Sequence, residues 1–138
     1  MLNPSGNEPQ VPSLHDWEIL GVNVSRFTRK AEIILYSPDK DTEAVLRLNG
    51  VQRFFLSEMM LQNVILDVQL FDEINDSDYL ERGLRLLGME SFNFGQEKGL
   101  KLIYFEPSVG AELTCCFSEF EFIEIKRAGN IDFGTDRK

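Results

Sequence analysis

Asn63-Val64-Ile65-Leu66-Asp67-Val68-Gln69-Leu70-Phe71 is the stretch on which the fold turns. Val64, Leu66, Val68 and Leu70 alternate along it and would line one face of a strand. Ile65, Asp67, Gln69 and Phe71 mix apolar and polar groups on the other face. This is the pattern of a middle strand with one dry face. An acidic run, Asp72-Glu73-Ile74-Asn75-Asp76-Ser77-Asp78, follows at once. Asp76 or Ser77 is placed to cap a main helix near residues 77–87, and acidic side chains in its first turn suit the helix dipole. Leu80, Leu84 and Leu87 share one face of that helix, and Gly88 stands where the chain must leave it.

Working outward, Leu20, Val22 and Val24 alternate in a first strand, and Ala31, Ile33 and Leu35 in a second. Ser37-Pro38-Asp39-Lys40-Asp41 is a turn sequence, and Ala44, Leu46 and Leu48 mark the returning strand. Asn49-Gly50 is a favoured two-residue hairpin turn, which predicts that residues 51–56 pair with the strand before them. Residues 57–62 read as one helical turn or a loop, and residues 91–99, with two glycines, as a surface loop. Residues 100–105 form a further strand, and residues 111–126 a long last one. The apolar phase of that last strand shifts between Phe117 and Ile123, so a bend is expected around Ser118-Glu119.

The expected class is α+β, mostly β: an antiparallel meander of about seven strands, as an open sheet, half-barrel or sandwich, with one main helix. Residues 1–13, with Pro4, Pro9 and Pro12, read as a flexible arm. Residues 14–126 read as one globular domain, and residues 127–138 as a loose tail.

The chain has 138 residues, 43% apolar, with eleven phenylalanines and a net charge of −9. That is a folding composition. Its negative field repels nucleic-acid backbones and anionic lipid, and attracts a basic protein surface. No cationic, apolar leader and no run of about eighteen apolar residues occurs, which leads us to expect a soluble, cytoplasmic protein. Cys115 and Cys116 are the two cysteines. As neighbours in a strand they point to opposite faces, so they are expected to be reduced and partly buried.

Little catalytic chemistry is legible. His15, the one histidine, stands beside Asp16, but adjacent residues in an extended segment point apart, and no nucleophile is tied to them. The carboxylates of residues 72–78 lack the spacing of an EF-hand loop, so capping and a solvated edge are expected rather than a metal. No phosphate-binding glycine loop is present, and no cofactor is expected. What remains are surfaces. Asp72, Glu73, Asp76 and Asp78 are the first candidates for contact with a basic partner. Glu119 and Glu121, interleaved with Phe117, Phe120 and Phe122, come second; as an edge strand the same run would resist aggregation. A pocket between sheet and helix, lined by Phe54, Tyr79 and Tyr104, would instead hold a small molecule. Trp17 is expected at the margin of the core. An uncovered edge strand would also leave a homodimer open.

Leu14-His15-Asp16-Trp17-Glu18-Ile19-Leu20, the strands after it, and Gln62-Asn63-Val64-Ile65 resemble the strand-rich immunity proteins of bacterial contact-dependent and polymorphic toxin systems, together with their uncharacterised relatives. The similarity covers residues 14–72. It implies a cytoplasmic, non-enzymatic protein that binds and blocks a cognate toxin. It assigns no contact residue.

Overall fold

A computed structural model of the chain describes residues 11–126. Within them lie β1 (Glu18–Ser25), β2 (Lys30–Ser37), β3 (Thr42–Asn49), β4 (Arg53–Ser57), β5 (Val64–Phe71), α1 (Asp78–Leu87), α2 (Ser91–Gln96), β6 (Lys101–Val109), β7 (Glu112–Phe117) and β8 (Glu119–Lys126). The eight strands form one antiparallel, unclosed sheet in the order β4-β7-β6-β5-β1-β2-β3-β8. The expected class, α+β and mostly β, therefore holds. Of the expected arm over residues 1–13, residues 1–10 lie outside the described residues, as does the tail after Lys126, while Val11 packs against the core.

The 63–71 stretch sits where the alternation placed it, at the centre of the sheet, but its phase differs. Ile65 is buried and Leu66 is exposed. The register slips on either side of Ile65, which stands opposite Pro107. Proline has no N–H to give the ladder, so the strand bulges there. Val68 and Leu70 regain the inner face, and Phe71 faces the helices.

β5 touches β1 at one end only, in register at Glu18 and Val64. Main-chain bonds from Ile19 N to Asn63 O (2.9 Å) and Ile65 N to Trp17 O (2.8 Å) complete that joint. The narrow joint divides the sheet into two halves that share one core. Ile19, Ala31, Ile33, Leu35, Ala44, Leu46 and Leu48 from one half pack with Ile103, Phe105, Leu113, Cys115 and Phe117 from the other. A second cluster joins Leu80, Leu84 and Leu87 of α1 and Phe94 of α2 to Leu102, Tyr104 and Cys116 on the far face of the second half. Burying three leucines contributes at most about 6 kcal/mol, at roughly 2 kcal/mol each. Gly83 lets α1 approach closely, since a Cβ there would lie 2.9 Å from Leu102 Cδ2. Cys115 and Cys116 are free and buried on opposite faces, as alternation requires.

Asn49-Gly50 does not close a hairpin. β3 pairs with β8, and β4 crosses to pair with β7. The reason lies in β4 itself. Phe54 and Leu56 pack on the inner core while Phe55 packs under the helices, so β4 needs a sheet covered on both faces. β3 cannot offer that, because Glu43, Val45 and Arg47 form a partly solvated face. The expected long last strand bends at Ser118, where β7 passes into β8 in the other half. Ser118 N bonds Asn49 O at 2.9 Å there, and Gly50, at φ 69°, has no room for a Cβ beside Ser118 Oγ. Residues 91–99 are not all loop: α2 forms because Phe94 finds a buried site (2% exposed) and Gly95 packs on Ile74.

Candidate functional site

Phe71 anchors the end of β5 in the helix-side core, and the chain then turns outward through residues 72–77. Asn75 Oδ1 accepts from Ser77 N at 2.9 Å, shaping that turn. Ser77 is the N-cap: its Oγ accepts from Tyr79 N at 3.1 Å. Asp78 and Glu81 occupy the first turn of α1. At the other end Gly88, in the left-handed region, donates to Arg85 O and Leu84 O. The chain then passes Met89 into α2, which closes the far wall.

These pieces enclose an open groove of about 530 Å³. Ile74, Leu80, Leu84 and Met89 form an apolar floor, and Asp76, Glu81 and Arg85 stand on its rim. Ile74, the one apolar residue of the acidic run, is 43% exposed. Glu81 and Arg85 form a loose pair at 4.0 Å. Asp72, Glu73, Asp76 and Asp78 are all exposed, and of the four Asp76 lines this groove while the other three do not. Among the described residues no cation pairs with them, so their charges face solvent. No group of histidine, cysteine or carboxylate side chains fit to hold a metal occurs among the described residues.

The second candidate pair lies elsewhere. Glu119 and Glu121 belong to β8, an edge of the sheet. Glu121 bonds Arg47 Nη1 at 2.9 Å, and Arg47 Nε bonds Glu32 at 3.0 Å.

The proposed aromatic trio is not brought together. Tyr79 and Tyr104 meet with ring centroids 5.8 Å apart, but Phe54 packs on the opposite face of the sheet. Tyr104 Oη donates to Glu112 at 2.6 Å, and Arg82 grips the same carboxylate in a bidentate pair. Burial and then Glu112 push the Tyr104 hydroxyl up to about 12, while the Arg82 guanidinium holds Glu112 below its ordinary value. Glu106 beside Tyr79 raises that hydroxyl as well. The arrangement ties α1 to the start of β7.

His15 and Asp16 do not point apart as an extended segment would have them. Asp16 adopts φ 69°, and the turn brings its carboxylate to 3.5 Å from His15 Nε2. His15 Nδ1 meets Leu66 O at 2.7 Å, so the imidazole pins this turn to β5. Trp17 is buried, edge-on to Phe122 at 6.1 Å.

Asn63 was not singled out by sequence reasoning. Its side chain is 2% exposed. Nδ2 donates to Met60 O (2.8 Å) and Ile19 O (3.2 Å), and Oδ1 accepts from Met60 N (2.9 Å) and Ala111 N (3.0 Å). One side chain thus joins three segments. Asn before a strand carries no signal of that role, because its partners lie up to 48 residues away. Arg82 and Glu112 were equally unreadable, being 30 residues apart. Among the described residues no helix is long and apolar enough to cross a membrane.

Comparison with protein-family models, with curated proteins and with solved structures gives no match.

Proposed function

We propose that this chain is a protein-binding module without catalytic chemistry, of the immunity type, which neutralises a cognate toxin in a bacterial cytoplasm. Its contact surface is the groove beside α1, and the partner supplies a segment with basic and apolar side chains. One observation carries the reading: an apolar floor of Ile74, Leu80, Leu84 and Met89 lies under a charged rim, where Asp76 has no ion pair among the described residues and Glu81 is held only loosely by Arg85. An interface gains its energy from a desolvated apolar centre, and a charged rim supplies steering and partner choice. The net charge of −9 extends the same field over the molecule and speeds encounter with a basic protein.

Tagged protein incubated with lysate of its native host at low salt should retain a basic protein, and high salt should release it. The Debye length falls from about 10 Å at 0.1 M salt to about 3 Å at 1 M, which screens the rim. With that partner purified, Asp76→Lys combined with Glu81→Lys should weaken binding about tenfold, since exposed pairs contribute ~0.2–1 kcal/mol each and reversal adds repulsion. Retention indifferent to salt and to both substitutions would overturn the reading.

A further inference from the structure

The outer edge of β8 is a second surface of defined chemistry. Among the described residues β8 ends the sheet order and pairs with β3 alone, in unbroken register from Thr42–Lys126 to Asn49–Glu119. A strand paired on one side leaves alternate N–H and C=O groups open on the other. Eight residues make this a full-length edge, in contrast to β4, the five-residue strand at the opposite end.

The side chains along this edge are ordered by type. Register with β3 places Glu119, Glu121, Ile123 and Ile125 opposite Asn49, Arg47, Val45 and Glu43. The β3 face they share is the partly solvated one. Two carboxylates therefore occupy the first half of the strand's outer face and two isoleucines the second. Ile123 and Ile125 are 37% and 47% exposed. Arg47 engages Glu121 from the β3 side, while Glu119 has no ion pair among the described residues. On the inner side Phe120 is buried, which anchors the strand to the core.

We infer that β8 accepts an extended, basic segment of a partner protein as a ninth, antiparallel strand. Main-chain bonds would supply attachment and alternate side chains the selection, the usual division in strand addition. An antiparallel strand meets Ile125 first and Glu119 last. Its outward side chains, from N to C terminus, therefore read apolar, apolar, basic, basic at every second position. A lysine-bearing strand in this register neutralises Glu121 and Glu119 while its apolar half covers Ile125 and Ile123. The inference rests on the protein-binding reading but uses a surface separate from the groove beside α1.

The test uses the intact chain and a synthetic seven-residue peptide at about 0.15 M salt, where surface charges more than ~8 Å apart are screened. The peptide carries valine at positions one and three, lysine at five and seven, and threonine between. Hydrogen exchange read by NMR should show slowed exchange at alternate β8 amides on binding. Methylating alternate peptide nitrogens on one edge should abolish binding, while methylating those on the other edge should leave it. A peptide with glutamate for lysine should bind at least tenfold more weakly, and Glu119→Lys with Glu121→Lys should reverse that preference. Asp76→Lys with Glu81→Lys should leave peptide affinity within about twofold, so failure of the groove reading and failure of this one are told apart. Absence of binding, equal binding by both methylated forms, or protection outside β8 would each overturn the proposal.

Discussion

Replacing Asn63 by alanine should be among the most damaging single changes in this chain. The side chain is buried and makes four hydrogen bonds, two donated and two accepted. Each bond contributes about 1 kcal/mol net, and each buried partner left alone costs about 1–3 kcal/mol. Some of the orphaned groups lie near the surface loop of Met60 and will find water. The expected loss is therefore about 4 kcal/mol, close to one for each bond. For a chain of this size 1 kcal/mol moves Tm by roughly 3 °C, so Tm should fall by about 12 °C. Urea titration followed by Trp17 fluorescence measures the loss directly, and native-state hydrogen exchange locates it. The amides of Met60 and Ala111 should lose protection first, because they donate to Asn63 Oδ1. Asn63→Asp separates the two halves of the side chain. It keeps both acceptor bonds, but when ionised it sets negative oxygens against the carbonyls of Ile19 and Met60. That environment raises the carboxyl's folded-state pKa, so the variant should be least impaired at acid pH and lose stability as pH rises through the ordinary carboxylate range. An Asn63→Ala variant that loses less than about 1 kcal/mol would refute the idea that this side chain ties the segments together.

Gly50→Ala should destabilise by about 2–4 kcal/mol in urea titration: the left-handed backbone costs about 1–2 kcal/mol and crowding against Ser118 about as much again. Ser118→Gly in the same chain should restore the crowding part alone. Cys115 and Cys116 should resist alkylation at pH 8 in the native protein and react at once in denaturant. Burial pushes Cys116 up to about 12, leaving roughly one thiolate in ten thousand at that pH, and Cys115 is raised further. His15 should titrate by NMR above its ordinary 6.5, because its bond to Leu66 O and then the nearby Asp16 favour the charged ring. The sign follows from that shift. Its stabilisation is complete below the ordinary value and is lost as pH climbs through the raised one, and Asp16→Asn should lower the titration midpoint.

The parts of this fold legible in the sequence are those where one face of an element meets water. β2 and β3 alternate cleanly because they cover the core on one side only, and Ala31, Ile33, Leu35, Ala44, Leu46 and Leu48 all proved buried. α1 was legible for the same reason, with its stop at Gly88 and its cap at Ser77, one of the two candidates with Asp76. The phase break near Ser118 was readable too, since a strand that changes sheet halves must exchange its inner and outer residues. Elements covered on both faces carry no such alternation. β4, with Phe54, Phe55 and Leu56 in succession, looks like a hairpin partner for β3 until its second apolar face has to be covered. The candidate site divides along the same line. Asp72, Glu73, Asp76 and Asp78 were visible as a run of charge, but a run of charge is a property of solvation as much as of binding. What makes their neighbourhood a groove is the floor, and the floor is built from Ile74, Leu80, Leu84 and Met89, drawn from a loop, a helix and the turn after it. Three of those four lie within or beside elements whose apolar residues already had a role in the core. Sequence pattern assigns each side chain one face, and a leucine that seals a core with one edge while flooring a groove with the other is counted only once. The sharpest check on the site is therefore at the floor. Ile74→Ser removes apolar contact from the groove while leaving every rim carboxylate in place. If it weakens partner binding as much as the rim reversals do, apolar burial supplies the affinity and charge the selection.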